Sequence, residues 1–276
     1  GIRLEADVII IDALVPYLKS LAKVVNENGV EVADFVYTPL AAAKAALNKK
    51  VKEHGAMSLD LGGGLCNLAI FEEGELIHTA SLPVGSKNIT NDLAIAVKTS
   101  LDNAELIKVR YGYIGQSGTS GLEGSRRGSY GAGKKEGFDL SDLVGEEKYI
   151  VPKKLIGEVV SDRVDEIVDM VIQELKKINR LNLLPGGVIV SGGGSNLSGF
   201  VEYIKERLKL PAKKVSSFEF EGIANKIDDP SFAVAAGLVL WGQELESESN
   251  SQGIFENFSS KKSLKKLKDW FRIFSP

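Results

Sequence analysis

Leu59-Asp60-Leu61-Gly62-Gly63-Gly64 is a short apolar run that stops abruptly in consecutive glycines. Val188-Ile189-Val190-Ser191-Gly192-Gly193-Gly194 repeats the pattern much later in the chain. Apolar runs of this length read as buried strands. A glycine triplet directly after a strand leaves backbone N–H groups uncovered, so an anionic ligand can approach closely. One such loop is weak evidence, because buried strands often end in glycine turns. Two of them suggest two walls of one nucleotide cleft. Asp60 stands just before the first triplet, where a hydrated Mg2+ beside phosphates would want a carboxylate.

Around these stretches the chain alternates strands and helices, which predicts an α/β fold. Val8–Ile11 reads as a strand, and a helix is expected from Val15 to Asn26, with Leu18, Leu21, Ala22 and Val25 on one face and Gly29 ending it. Val32–Tyr37 is strand-like, and Pro39 opens an alanine-rich helix over Leu40–Leu47. A β block follows: Met57–Leu61, Leu65–Phe71, a turn at Glu72-Glu73-Gly74, and Glu75–Leu82. Asn91–Val97 and Leu101–Val109 read as helices, and Lys153–Lys177 as a long amphipathic one. Past the second glycine-ended strand, Phe200–Leu208 and Phe232–Leu240 read as helices, and residues 244–260 as a polar linker.

Residues 112–137 are rich in glycine and serine and predict a mobile loop. Within it Gly128-Ser129-Tyr130-Gly131-Ala132-Gly133-Lys134-Lys135 imitates a Walker phosphate loop. The mechanism does not fit. No buried strand feeds it, and Lys135 replaces the Ser/Thr hydroxyl that would hold Mg2+.

The 276 residues, 43% of them hydrophobic, suffice for one large or two modest domains. A formal net charge of −3 gives no reason to expect nucleic acid. Cys66 is the single cysteine, so no intrachain disulfide can form, and His54 and His78 have no metal-ligand spacing. A strand-like run so near Gly1 leads to the expectation that a partial gene or a fragment supplied the sequence.

The hairpin–glycine-loop pattern resembles the actin/Hsp70/hexokinase ATPase superfamily, and within it the FtsA family of bacterial cell-division proteins. The resemblance is carried by Leu59–Gly64, Leu82-Pro83-Val84-Gly85, Asn88-Ile89-Thr90-Asn91-Asp92-Leu93-Ala94-Ile95, Ala104-Glu105-Leu106-Ile107-Lys108 and Gly192-Gly193-Gly194-Ser195-Asn196-Leu197. Pro39-Leu40-Ala41 and Phe232–Leu238 also look like family landmarks. The resemblance implies an actin-like (ribonuclease H-like) ATPase fold, N-terminally incomplete, because no stretch resembles the first phosphate loop. It implies a first-domain remnant over 1–54, a second domain over 55–242 with 99–180 inserted in it, a linker over 243–260 and a terminal helix over 261–276.

Carried over residue by residue, the resemblance implies ATP and Mg as cofactors. Asp60 with Gly62, Gly63 and Gly64 looks like the second phosphate loop, with Asp60 reaching Mg through water. Gly192, Gly193 and Gly194 look like the adenosine loop, and Glu105 with Lys108 like the ribose-contacting pair. Without the resemblance, Glu105 and Lys108 read as an exposed ion pair. Where the family usually has Thr-Thr-Asp after the glycines, this chain has Leu65-Cys66-Asn67. Leucine offers no hydroxyl and asparagine no charge, so the expected ATPase activity is at most slow.

Lys261–Phe274 combines Lys261, Lys262, Lys265, Lys266, Lys268 and Arg272 with Leu264, Leu267, Trp270, Phe271 and Phe274 on one helical face. That pattern suits a helix lying in a membrane interface, with Trp270 at the headgroups. Each basic residue near an anionic leaflet contributes about 1 kcal/mol, so attachment would be reversible. With the resemblance, the expected function is an ATP-binding protein at the cytoplasmic face of the division site. It would polymerise with itself, meet anionic inner-membrane lipids and other divisome proteins, and anchor the FtsZ ring. The alternative is a PilM-like actin-fold scaffold without nucleotide turnover. An Hsp70- or sugar-kinase-like enzyme would need a catalytic carboxylate or a substrate domain, which no stretch supplies.

Overall fold

The computed structural model describes residues 3, 5, 8–114, 137–141, 149–215 and 229–251. Two compact units are distinguished, Gly1–Leu238 and Val239–Pro276. The loop expected at 112–137 and the basic segment 261–276 fall largely or wholly outside the described residues.

The described helices are α1 (Val15–Glu27), α2 (Thr38–Ala46), α3 (Lys49–Glu53), α4 (Ser86–Val97), α5 (Leu101–Tyr111), α6 (Lys153–Lys177), α7 (Phe200–Leu208) and α8 (Ala233–Ser251). The strands are β1 (Ala56–Leu61), β2 (Cys66–Glu72), β3 (Glu75–Leu82), β4 (Gly137–Asp139), β5 (Ile150–Pro152), β6 (Gly187–Ser191) and β7 (Ala212–Lys214). A five-stranded sheet runs in the order β3-β2-β1-β6-β7, and β4 pairs with β5 in a small ribbon. β1, β2 and β3 form an antiparallel meander, while β6 and β7 continue the sheet in parallel to β1.

Every residue of β1 and β6 is buried, as expected of central strands covered on both faces. Side chains alternate between the two faces. Met57, Leu59, Leu61, Leu68, Ile70, Val188 and Val190 enter the larger core, with Ile89, Ile107, Ile167 and Phe200 from the helices. Burying each such large side chain contributes about 1.5–3 kcal/mol. Ala56, Ala69, Phe71 and Ile189 point to the other face, toward Ala43, Ala233 and Ala236. Small residues there let α2 and α8 touch backbone to backbone: a Cβ added at Gly237 would lie 1.7 Å from the Ala41 carbonyl oxygen. That contact gives the alanine-rich helix and the glycine in Phe232–Leu238 a physical reason.

Three expectations change. Val8–Ile11 and Val32–Tyr37 carry no strand, and Val8 and Ile10 are exposed. A strand needs backbone pairing with a neighbour's edge, and the described residues of both runs join no sheet. The final helix runs on to Ser251 instead of ending near Leu240. Its Glu-rich polar continuation carries good helix formers, so the helix persists beyond the apolar run. The short α3, β4, β5 and β7 carried no periodic signal in the sequence.

Candidate functional site

The carboxyl ends of β1 and β6 lie side by side, the usual position for ligands of open α/β sheets. Parallel pairing sets Asp60 opposite Ser191, and antiparallel pairing sets Asp60 opposite Asn67. The three side chains therefore meet on one face. Ser191 Oγ donates to Asp60 Oδ1 at 3.2 Å, and Asn67 Nδ2 donates to Asp60 Oδ2 at 3.2 Å. Burial pushes the Asp60 carboxyl above its ordinary pKa, while these two hydrogen bonds act against the rise. Cys66 is buried beside it; burial, then the charge of Asp60, pushes its thiol up to about 12.

Gly62–Gly64 closes as a tight turn, with Gly62 N–H donating to the Leu65 carbonyl at 2.9 Å. The turn is fastened to the first residues of α4. Ser86 N–H donates to Gly62 O at 2.9 Å and Lys87 N–H to Gly63 O at 2.8 Å. Gly85 permits this approach, since a Cβ there would lie 2.4 Å from Gly63 O. The Lys87 stem lies alongside Gly63, 3.3 Å from where a Cβ of that glycine would be. The positive end of the α4 dipole thus sits at the loop.

Lys108 is buried and uses all three of its N–H donors. Its Nζ donates to Glu105 Oε2 at 2.7 Å, Thr90 Oγ1 at 2.9 Å and Ser86 O at 3.2 Å. Thr90 Oγ1 donates in turn to Glu105 Oε2 at 2.5 Å. Burial would raise the Glu105 pKa, but the Lys108 and Thr90 hydrogen bonds outweigh it and hold the carboxyl below its ordinary range. Glu105 is 47% exposed at its side chain, so the pair is one buried anchor and one presented carboxylate. Through Ser86, the glycine turn and the Glu105–Lys108 pair belong to one hydrogen-bonded assembly.

Gly192–Gly194 lies against the same β1 end. Gly192 has φ 79°, and its N–H donates to Pro230 O at 2.9 Å. Beside it, Lys214 Nζ donates to Asn196 Oδ1 at 3.0 Å, and Asp229 accepts from Ser231 N–H at 2.8 Å. Of the residues expected from sequence, Asp60, Gly62–Gly64, Glu105, Lys108 and Gly192–Gly194 are thus described. Leu264, Lys265, Leu267, Lys268, Trp270, Phe271, Arg272 and Phe274 lie outside the described residues. Sequence reading missed Ser86, Lys87, Thr90 and Ser191. Thr90 stands in the Ile-Thr-Asn-Asp run, but only the fold brings it to Lys108.

Among the described residues, no group of three or more His, Cys, Asp or Glu could hold a metal ion. The donor set fits a hydrated Mg2+ reached through water, because each Asp60 oxygen retains a free lone pair after one accepted bond. A separate groove of about 360 Å3 between α4 and α6 is lined by Asp92, Ile95, Ala96, Val159, Asp162, Arg163 and Glu166. None of the expected nucleotide residues lines it. Among the described residues, no helix is long and apolar enough to cross a membrane.

A mixed sheet with paired glycine turns at adjacent strand ends defines an actin-like fold. MreB5 of Spiroplasma citri, solved bound to ADP, superposes with a TM-score of 0.63 at 19% identity, over 86% of this chain and 68% of that one. The ethanolamine utilization protein EutJ of Carboxydothermus hydrogenoformans gives a TM-score of 0.55 at 21% identity, over 83% of this chain and 62% of that one. Residues 57–237 match the family model of the cell division protein FtsA, and the chain belongs to that family. It is 30% identical to cell division protein FtsA of Pseudomonas aeruginosa over 275 residues, 98% of this chain and 63% of that protein. With the Bacillus subtilis relative it shares 29% over 239 residues, 87% of this chain and 50% of that protein. The chain thus spans between half and two thirds of the length of these relatives.

Proposed function

We propose that the protein is an ATP-binding, actin-like division protein that polymerises and tethers the FtsZ ring to the cytoplasmic membrane. The observation that carries the nucleotide part is the hydrogen-bonded assembly of the Gly62–Gly64 turn, Ser86, Lys108 and Glu105, which follows directly on Asp60 at the carboxyl end of β1, beside that of β6. In this reading the exposed backbone of Gly63 and Gly64 receives phosphates in the positive field of the α4 N-terminus, Glu105 meets the ribose, and Asp60 orders the waters of Mg2+. ATP with Mg2+ would supply a charged ligand whose binding favours filament assembly; this chain's residues bind and orient it. The MreB5 structures solved with ADP and with AMPPNP support the nucleotide class.

Membrane attachment is assigned to the apolar face and basic flank of 261–276, at the division site on the cytoplasmic face. Residues 1–54 are assigned to a first domain, 55–242 to a second and 243–260 to a linker. FtsZ, further copies of the protein and other divisome proteins are the proposed partners, in keeping with the family. Pelleting with anionic liposomes in the presence of ATP tests the tether. Sedimentation should be lost on removing 261–276, and equal sedimentation of that truncation would refute it.

A second reading is a nucleotide-holding or nucleotide-free scaffold. Leu65, 46% exposed beside the glycine turn, presents no hydroxyl there. A PilM–PilN pilus complex shares the fold with a TM-score of 0.55. Absence of micromolar ATP affinity in the full-length gene product would favour the scaffold.

A further inference from the structure

Asp60 is held by a hydrogen-bond chain that reaches a different part of the fold. Asn67 Nδ2 donates to Asp60 Oδ2 at 3.2 Å, Ser81 Oγ donates to Asn67 Oδ1 at 2.7 Å, and Tyr37 OH lies 2.9 Å from Ser81 Oγ. The direction of every bond follows from the chemistry of its members. An ionised carboxylate only accepts, so the amide nitrogen of Asn67 must face Asp60 and its oxygen must face Ser81. The only proton of Ser81 is then committed to Asn67, so Tyr37 must donate to Ser81. The chain runs Tyr37, Ser81, Asn67, Asp60, with Ser191 closing the other carboxylate oxygen at 3.2 Å.

The elements joined are distant in sequence. Tyr37 is the N-cap residue of α2, Ser81 lies near the end of the edge strand β3, and Asn67 stands directly opposite Asp60 on β2. Asn67 and Ser81 are themselves register partners, which places hydroxyl, amide and carboxylate in one row across the sheet. Asn67 is buried, so its amide has few alternatives to this orientation. A carboxylate at position 67 would face Asp60 as a like charge. Asparagine turns the same position into a neutral donor.

We propose that Asn67 is a positioning residue that aims the Asp60 carboxylate, and that Ser81 and Tyr37 transmit the placement of the α2 N-terminus to it. The inference rests on the reading of Asp60 as the group that orders Mg2+-bound water. It adds that the residues preceding α2 bear on metal-assisted nucleotide binding through three hydrogen bonds. The departure at Asn67 then has a positive role beyond the loss of a charge.

The test compares nucleotide affinity with Mg2+ and with EDTA for the full-length gene product and its N67A, N67D, S81A, S81T and Y37F variants, alongside their melting temperatures. The gain in affinity due to Mg2+ should fall about tenfold in N67A and about threefold in S81A, the size of one or two lost hydrogen bonds. S81T keeps the hydroxyl and should match the parent, and Y37F should fall least, because Ser81 still donates to Asn67. In N67D, affinity in EDTA should drop more than affinity in Mg2+, since only the cation offsets two facing carboxylates. An unchanged Mg2+ gain in S81A and N67A overturns the proposal and leaves nucleotide binding standing. Equal losses with and without Mg2+ overturn it as well, marking a structural role only. A parent protein that binds no nucleotide overturns the proposed function and this inference with it. If N67A does not fold, S81A against S81T still decides the matter.

Discussion

At Gly64 an added methyl group would meet nothing within 4 Å, whereas at Gly194 it would lie 2.4 Å from Leu61 Cγ. The same contrast holds between their neighbours. A Cβ on Gly63 would press only on the flexible stem of Lys87, but one on Gly192 would lie 2.4 Å from Leu61 O, at a φ of 79° that side chains rarely adopt. The two triplets look alike in sequence and differ in physical demand. In the first, Gly63 and Gly64 leave room for something outside the chain. In the second, Gly192 and Gly194 make room for the first strand, so the chain itself fills their missing side chains. Gly193 alone stands clear there, with Ser231 Cβ 4.0 Å away.

The comparison breaks most readily at Gly192 and Gly194. Alanine at either position should cost about 3 kcal/mol through overpacking or backbone strain. Urea unfolding measures it, and a loss under about 0.5 kcal/mol, the range of an ordinary surface change, would equate the two loops. Lys108→Met comes next. It removes the anchor common to Glu105, Thr90 and Ser86, with an expected loss of about 2 kcal/mol in the same experiment.

Acid titration separates the two carboxylates by sign. Glu105 is held below its ordinary value of 4.5, so its stabilising contribution is full above that pH and fades as pH falls through its depressed folded value. Asp60 is raised above 3.8, so its ionisation disfavours folding as pH rises through the raised value. The urea midpoint followed against pH should lose its acid-side decline in part with E105Q, and D60N should remove the opposing slope. Identical profiles for the two variants would contradict this assignment. The smallest effect on folding is expected at Gly64→Ala, within about 0.5 kcal/mol of the parent. Its Mg2+–nucleotide affinity should nonetheless fall severalfold, which isothermal titration would detect.

The meander β1–β3, the long helix α6 and the β6 glycine turn were legible because each carries its own periodicity or a strand-ending glycine run. Val8–Ile11 was misread because apolar content alone cannot tell a strand from a segment without a neighbouring edge. In the site, Asp60 and the glycines were visible as a local pattern. The burial of Lys108 was not, because it depends on Ser86 and Thr90 arriving from another helix. Likewise, in the sequence alone Asn67 shows only the charge it lacks. Its partners Ser81 and Tyr37 emerge only once sheet register is known.

The lone thiol at Cys66 offers a stopwatch for this sheet. It sits at the first residue of β2, is 1% exposed, and is held near a pKa of about 12. The thiolate form that alkylating reagents attack is therefore scarce while the hairpin is closed. Each labelling event would record a moment when the β1–β2 turn has come apart. Since the chain contains no other cysteine, mass spectrometry of the intact protein would count those openings without any engineered probe. A ligand seated on the neighbouring glycines would show itself as a slower clock.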